Sequence, residues 1–250
     1  MTTSNYEKEF QIFSSNLNQA ARAFYYHQEI QRQVYEDCMK YKSWQESNIY
    51  QAIQDNAQFW EDYKDLSILC FVITLRKIFD KDKNGQESHH IDRLIKSVKN
   101  SDLFTNQKLR ERKIKGSDNA DDWIDEYMKN THQLSETDFS KIEDFVSATK
   151  EKWDSVKPLC NKILAHQDAL TPQKRSQIFE NSKYAIFEEI ITRLLTVENI
   201  LWQAYHNGQK PDFGYVNNKV RNAVAYDVVL LLGKLSSGKA RPKVIHHNKA

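Results

Sequence analysis

Glycine and proline are scarce, six and four among 250 residues. So few turn-forming residues argue against a β-sandwich or barrel and for a compact helical chain. Cysteine is also sparse. Cys38, Cys70 and Cys160 are far apart and include no Cys-x-x-Cys pair. That spacing argues against a disulfide framework or a thiolate zinc site, and for a reducing compartment. No apolar run approaches the roughly 20 residues that cross a bilayer. The most apolar windows are 66–75 and 224–232. The N-terminus has no basic region followed by an apolar one, so no signal peptide is expected and the chain reads as soluble and cytoplasmic. Neither charge sign dominates. A formal net charge of +2 gives no whole-chain field for nucleic acid, so any RNA contact must come from local patches.

What is present is helical. Aromatics recur at Phe10, Phe13, Phe24, Tyr25, Tyr26 and Tyr35, then at Trp44, Tyr50, Phe59, Trp60 and Tyr63. Spacings of three, four and seven predict a buried stripe on one or two long helices over 6–63. An apolar helix is predicted over 65–79, a turn at Asn84-Gly85, and a short helix over 88–99. Residues 100–135 form a polar helical excursion, with a basic cluster at 108–115 and an acidic segment at 118–126. Ser135 opens the next helix, with Pro158 as a break or a fresh first turn. Thr171-Pro172 marks another start, and a long apolar helix runs to Tyr205 before Asn207-Gly208 ends it. A last helix covers 217–235. The expectation is an all-α multi-helix bundle forming one domain over 1–238. The tail at 239–250 is basic and expected to be disordered.

The segment Val156 to Asp168 carries the most chemistry. Apolar Leu159, Ile163 and Leu164 fall on one side and polar residues gather on the other, as at the end of a helix. Lys162 and His166 are four residues apart and share a helix face. Asn161 lies beside them and Asp168 follows. A cation, an amide and an imidazole at one helix end can grip a phosphate and move a proton. The plainer alternative makes His166 a capping or core histidine.

This segment resembles the signature of the HEPN superfamily, all-helical domains that include many metal-independent ribonucleases. More narrowly, it resembles the U-type branch of the abortive-infection, or phage-defence, group. The branch pattern is Arg-(Asn or Asp)-Lys-x-x-Ala-His-x-Asp, which Asn161, Lys162, Ala165, His166 and Asp168 match. A second stretch fits the same branch: Phe59-Trp60, then Asp65 to Arg76, closing with the Arg76-x-x-x-Asp80 step. Together they cover roughly residues 55–205. The resemblance implies a homodimer, an RNA target, a cognate antitoxin or regulatory partner, and no metal or cofactor. It makes His166 the general base, Asn161 and Asp168 orienting groups, and Lys162 the surviving cation.

One position departs from the pattern. Cys160 stands where the branch has Arg, and a neutral thiol cannot replace a guanidinium fork. Arg76, Arg175 and Arg193 are the candidate replacements. The resemblance therefore implies an RNA-binding protein or endoribonuclease with a degraded motif. The alternative is a non-catalytic binding or regulatory protein on the same fold.

Other motifs weigh less. Asp80 to Gln86 resembles the start of an EF-hand loop, but position twelve is Ile91 rather than the required Glu, so a polar turn is expected. His89, His90 and Asp92 lack further ligands at useful spacing, so an exposed helix start is expected instead of a metal site. Cys160 and His166 are six residues apart, which places them about 120° apart on a helix, too far for a nucleophilic pair. The 108–115 cluster could contact phosphates or pair with 118–126. Lys239, Arg241 and Lys243 in the tail, with no acid nearby, are the better electrostatic candidates for RNA.

Overall fold

A computed structural model describes residues 3–80, 90–165 and 184–237. Among the described residues there are nine α-helices and no strand. They are α1 (Thr3–Cys38), α2 (Asn48–Gln54), α3 (Ala57–Phe79), α4 (Ile91–Lys99), α5 (Asn106–Lys115), α6 (Ile124–Lys129), α7 (Glu136–Ala165), α8 (Tyr184–Asn207) and α9 (Lys219–Ser236). None is long and apolar enough to cross a membrane.

The chain divides into two compact units, Met1–Ala20 with Val72–Asn217, and Ala21–Phe71 with Asn218–Ala250. The first unit is built around α8. Phe187, Ile190, Ile191, Leu194, Leu195, Val197, Ile200 and Leu201 are all buried, covering most of the helix circumference, as in a helix enclosed by its neighbours. Helix α7 packs along it, and α4 packs on α7. Each fully buried Leu or Ile contributes about 1.5–3 kcal/mol. The polar excursion is helical, as its pattern predicts: α5, a 3-10 turn at Ala120–Asp122, and α6. In the second unit α9 packs on α2, burying Val224, Val228 and Leu232. Tyr26 Oη donates to Asp227 Oδ2 at 2.6 Å in the same unit.

Two expectations need correction. Pro158 does not break its helix, because α7 runs unbroken through it. The ring lies on an exposed face, and the carbonyl of Asp154, which loses its donor, belongs to an exposed residue that water can reach. Buried Trp153, Val156, Leu159 and Cys160 hold the opposite face in place. The aromatic stripe is also not buried throughout. Tyr6, Phe13, Phe24 and Tyr25 are core, but Tyr35, Trp44 and Phe59 are 58%, 54% and 60% exposed.

Helix ends follow local chemistry. At the start of α7, Ser135 Oγ accepts from the Asp138 amide (3.2 Å) and Asp138 Oδ2 accepts from the Ser135 amide (2.9 Å), a reciprocal cap. At the end of α8, Gly208 has φ +57°, the left-handed conformation that closes helices.

Candidate functional site

The end of α3 and the last described turns of α7 meet through two contacts. Phe79 stacks on Trp153 with ring centroids 5.3 Å apart and planes at 13°. One turn further along α7, and at the residue that follows Phe79, the contact becomes ionic. Arg76 Nε donates to Asp80 Oδ2 at 2.8 Å, and Lys157 Nζ donates to Asp80 Oδ1 at 2.7 Å. The Arg76-x-x-x-Asp80 step seen in the sequence is thus an i,i+4 ion pair, and Lys157 is its third member. Partial burial raises the Asp80 pKa, but the hydrogen bonds and charges of Lys157 and Arg76 outweigh it and hold the carboxyl below its usual range. Among the described residues, two cations thus meet one carboxylate. Arg76 and Lys157 side chains remain 39% and 37% exposed, so the centre faces solvent.

Along α7 the geometry separates two rows of residues. Trp153, Val156 and Cys160 recur at helical spacing, and all three are buried. Lys157 and Asn161 form the neighbouring row, four residues and about 6 Å apart along the axis. Asn161 is exposed. Cys160, at the motif's Arg position, is wholly buried. The departure from the family pattern is therefore a position turned into the core, with no room for a solvated guanidinium.

The remaining signature residues, His166, Asp168 and the side chain of Lys162, lie outside the described residues, as does Arg175. Arg193 is engaged elsewhere. Its guanidinium lies 3.9 Å from the Phe145 ring centroid, and it donates to Thr149 Oγ1 at 2.9 Å and to the Phe145 carbonyl at 3.1 Å. Thr149 precedes Asn161 by 12 residues, about 18 Å of helix. Arg193 thus does not replace the missing Arg. Lys157 was not singled out in the sequence; its spacing of four from Asn161 was the available signal.

The other candidates resolve into structural roles. His90 Nδ1 accepts from the Arg93 amide at 3.2 Å, capping α4. Asp92 pairs with Lys150 at 2.6 Å. Of the EF-hand-like loop, Asp80 is held as described, and 81–89 lie outside the described residues. The basic cluster is largely tied down. Lys108 pairs with Glu111, and Arg110 pairs with Asp125 of the acidic segment at 2.5 Å. Arg112 donates to the carbonyls of Leu103 (2.9 Å) and Tyr205 (2.7 Å), and its guanidinium lies 3.9 Å from the Tyr205 ring centroid. The tail residues Lys239, Arg241 and Lys243 lie outside the described residues.

The AbiU2 family model, of the HEPN group, matches residues 17–224. The chain belongs to this family. No curated protein and no solved structure matches it. The match places the chain in the U-type abortive-infection branch of the HEPN superfamily, whose fold is all-α. In this AbiU2-family chain the family match extends from within α1 into α9, well beyond the 55–205 span of the two sequence motifs.

Proposed function

We propose that this AbiU2-family protein acts on RNA in phage defence, with its phosphate grip moved from the signature's Arg position to Arg76 and Lys157. The observation that carries the proposal is their convergence on Asp80, with Lys157 one helical turn before the exposed Asn161, while Cys160 is buried. In the catalytic form, His166 takes the proton of a ribose 2′-hydroxyl and the freed oxygen attacks the adjacent phosphorus. The bond to the 5′-oxygen breaks, and that oxygen takes a proton from water and leaves as a 5′-hydroxyl, while protonated His166 returns its proton to solvent. The other fragment ends in a 2′,3′-cyclic phosphate. Arg76 and Lys157 stabilise the charge that builds on the phosphate oxygens. Asn161 and Lys162 orient the phosphate, and Asp168 holds the tautomer of His166. A homodimer would bring two signature helices to one RNA, and an antitoxin or regulatory partner would restrain it.

A second reading is favoured by the burial of Cys160: the same face binds RNA or a partner without cleaving. One assay separates the two. RNA is incubated in EDTA with wild type, His166→Ala, Arg76→Ala and Lys157→Ala. Cleavage to cyclic phosphate ends that vanishes in His166→Ala, and falls about 100-fold in Arg76→Ala, supports the catalytic form. No cleavage, with RNA binding that weakens in Arg76→Ala and Lys157→Ala, supports the binding form. Neither cleavage nor RNA binding overturns the catalytic form and the RNA-binding form alike.

A further inference from the structure

In the first unit α1 and α8 run antiparallel and are joined by two side-chain rungs. At one end Tyr205 Oη donates to Glu7 Oε1 at 3.0 Å, and at the other the Ser14 hydroxyl donates to the Glu198 carboxylate. In each helix the rungs are separated by about 10.5 Å of axial rise. Between the helices lies a groove of about 480 Å³, within the range of small-molecule clefts. Its apolar surface is aromatic. Phe10 is half-buried, and Trp202 is 42% exposed with the His206 ring centroid 4.9 Å from its own.

One polar group on the wall stands out. Tyr6 is 1% exposed, yet its hydroxyl has no hydrogen-bond partner among the described residues. The charged and polar groups that act on it are Tyr205, Arg112 and Glu7, which puts the hydroxyl at the Glu7–Tyr205 end of the groove. A buried hydroxyl without a partner is costly, and a ligand hydroxyl would satisfy it. The exposed Gln11 amide on the same wall makes no side-chain hydrogen bond among the described residues and offers both a donor and an acceptor.

Charge narrows the ligand further. Partial burial, with the Arg112 charge nearby, pushes the His206 pKa below its usual value, so His206 adds no cation at neutral pH. Glu7 is then the one charged side chain on the wall. An anion would face it with no cation to offset the repulsion. A cation would be opposed by Arg112, whose guanidinium lies 3.9 Å from the Tyr205 ring centroid. A hydrocarbon would strip water from Glu7 and leave Tyr6 unpaired. An uncharged ring with an apolar face and several hydroxyls meets every one of these groups.

We propose that this groove binds a neutral saccharide, the C–H face of a sugar ring on Trp202 and its hydroxyls at Tyr6, Glu7 and Gln11. A free sugar and the end of a longer glycan present the same chemistry. None of these residues belongs to the signature segment or to the Arg76, Asp80 and Lys157 group, so the site does not depend on cleavage there.

The test titrates the full chain by calorimetry with glucose, N-acetylglucosamine, maltohexaose and N-acetylchitohexaose, at low and high salt. AMP and spermidine supply the anionic and cationic comparisons. Trp202→Ala removes the platform at an exposed position, and circular dichroism checks that it keeps the helical fold. Tyr6→Phe isolates the unpaired hydroxyl. Its melting temperature is expected to be unchanged or raised, and its sugar binding to weaken about tenfold. Sugar binding that is insensitive to salt and falls about tenfold or more in both variants supports the proposal. Equal binding of a monosaccharide and its hexamer then assigns a free sugar, and binding of a hexamer alone assigns a glycan. Binding of none of the four sugars overturns the proposal, as does sugar binding unchanged in either variant. So does a lowered melting temperature in Tyr6→Phe, or AMP or spermidine binding more tightly than any sugar in a manner lost in Trp202→Ala.

Discussion

Lys157 Nζ meets Asp80 Oδ1 at 2.7 Å, while Arg76 holds the other oxygen of the same carboxylate. One acid thus fixes two cations, and its removal separates a structural role from an electrostatic one. Asp80→Asn breaks a pair that is partly exposed, so stability falls by only about 1 kcal/mol. The same change removes the acid facing Arg76 and Lys157, so RNA affinity at low salt rises several-fold and its salt dependence steepens. Urea unfolding and RNA titration at two salt concentrations check both. Equal RNA affinity in Asp80→Asn and wild type would remove Arg76 and Lys157 from the proposed phosphate grip.

Restoring the family's Arg at position 160 would not restore a site. Cys160 lies in the buried row with Trp153 and Val156. A guanidinium placed there loses its hydration and meets no carboxylate in that row. Cys160→Arg is expected to destabilise the fold by about 3 kcal/mol or more. Thermal or denaturant unfolding measures this directly. A variant as stable as wild type would mean that the Arg reaches solvent or Asp80, and a cleavage assay on it would then be informative.

The sequence carried the fold class further than it carried the site. Low glycine and proline content and the apolar spacing of α3, α7 and α8 declare helices, and the Arg76 to Asp80 spacing of four was visible as an ion-pair step. Burial was less legible. Cys160 and Asn161 are adjacent and both short, yet one is core and the other solvent-exposed, because α7 turns the row of Trp153, Val156 and Cys160 inward. Pro158 misled for a related reason: a proline breaks a helix only when its lost hydrogen bond lies where neither water nor packing can compensate. The aromatic residues from Tyr35 to Trp60 have helical spacing, but in part they line a cavity instead of filling a core.

Asp138 makes the start of α7 sensitive to acid. Burial raises its pKa, but the Ser135 amide and hydroxyl and His132, whose Nε2 lies 2.8 Å from Oδ2, together bring it down to about 2. The folded value is below the unfolded value of about 3.9. The stabilisation, about 2 kcal/mol, is therefore fully present above about pH 4 and is lost as pH falls through about 2. Asp138→Asn should lower stability at pH 7 by that order and flatten the pH dependence between 4 and 2. Urea midpoints across that range test it. An unchanged acid slope in Asp138→Asn would show that other carboxylates set it.

Gly208 should be among the least replaceable residues of the first unit. Its φ of +57° favours glycine, and a Cβ there would lie 2.5 Å from Leu109 Cδ2 and 2.9 Å from Thr131 Cβ. Its carbonyl also accepts from the His132 amide at 2.6 Å, tying the end of α8 to the segment before α7. The left-handed conformation alone costs a non-glycine residue about 1–2 kcal/mol, and overpacking adds about 1–3. Gly208→Ala is therefore expected to lose about 2–5 kcal/mol in denaturant unfolding. Gly233→Ala is the matched control, since a Cβ at 233 meets nothing within 4 Å and alanine is the better helix former. That control should be neutral or stabilising by up to about 1 kcal/mol. If Gly208→Ala were as stable as the Gly233→Ala control, the close packing of the α8 end against Leu109 and Thr131 would be wrong.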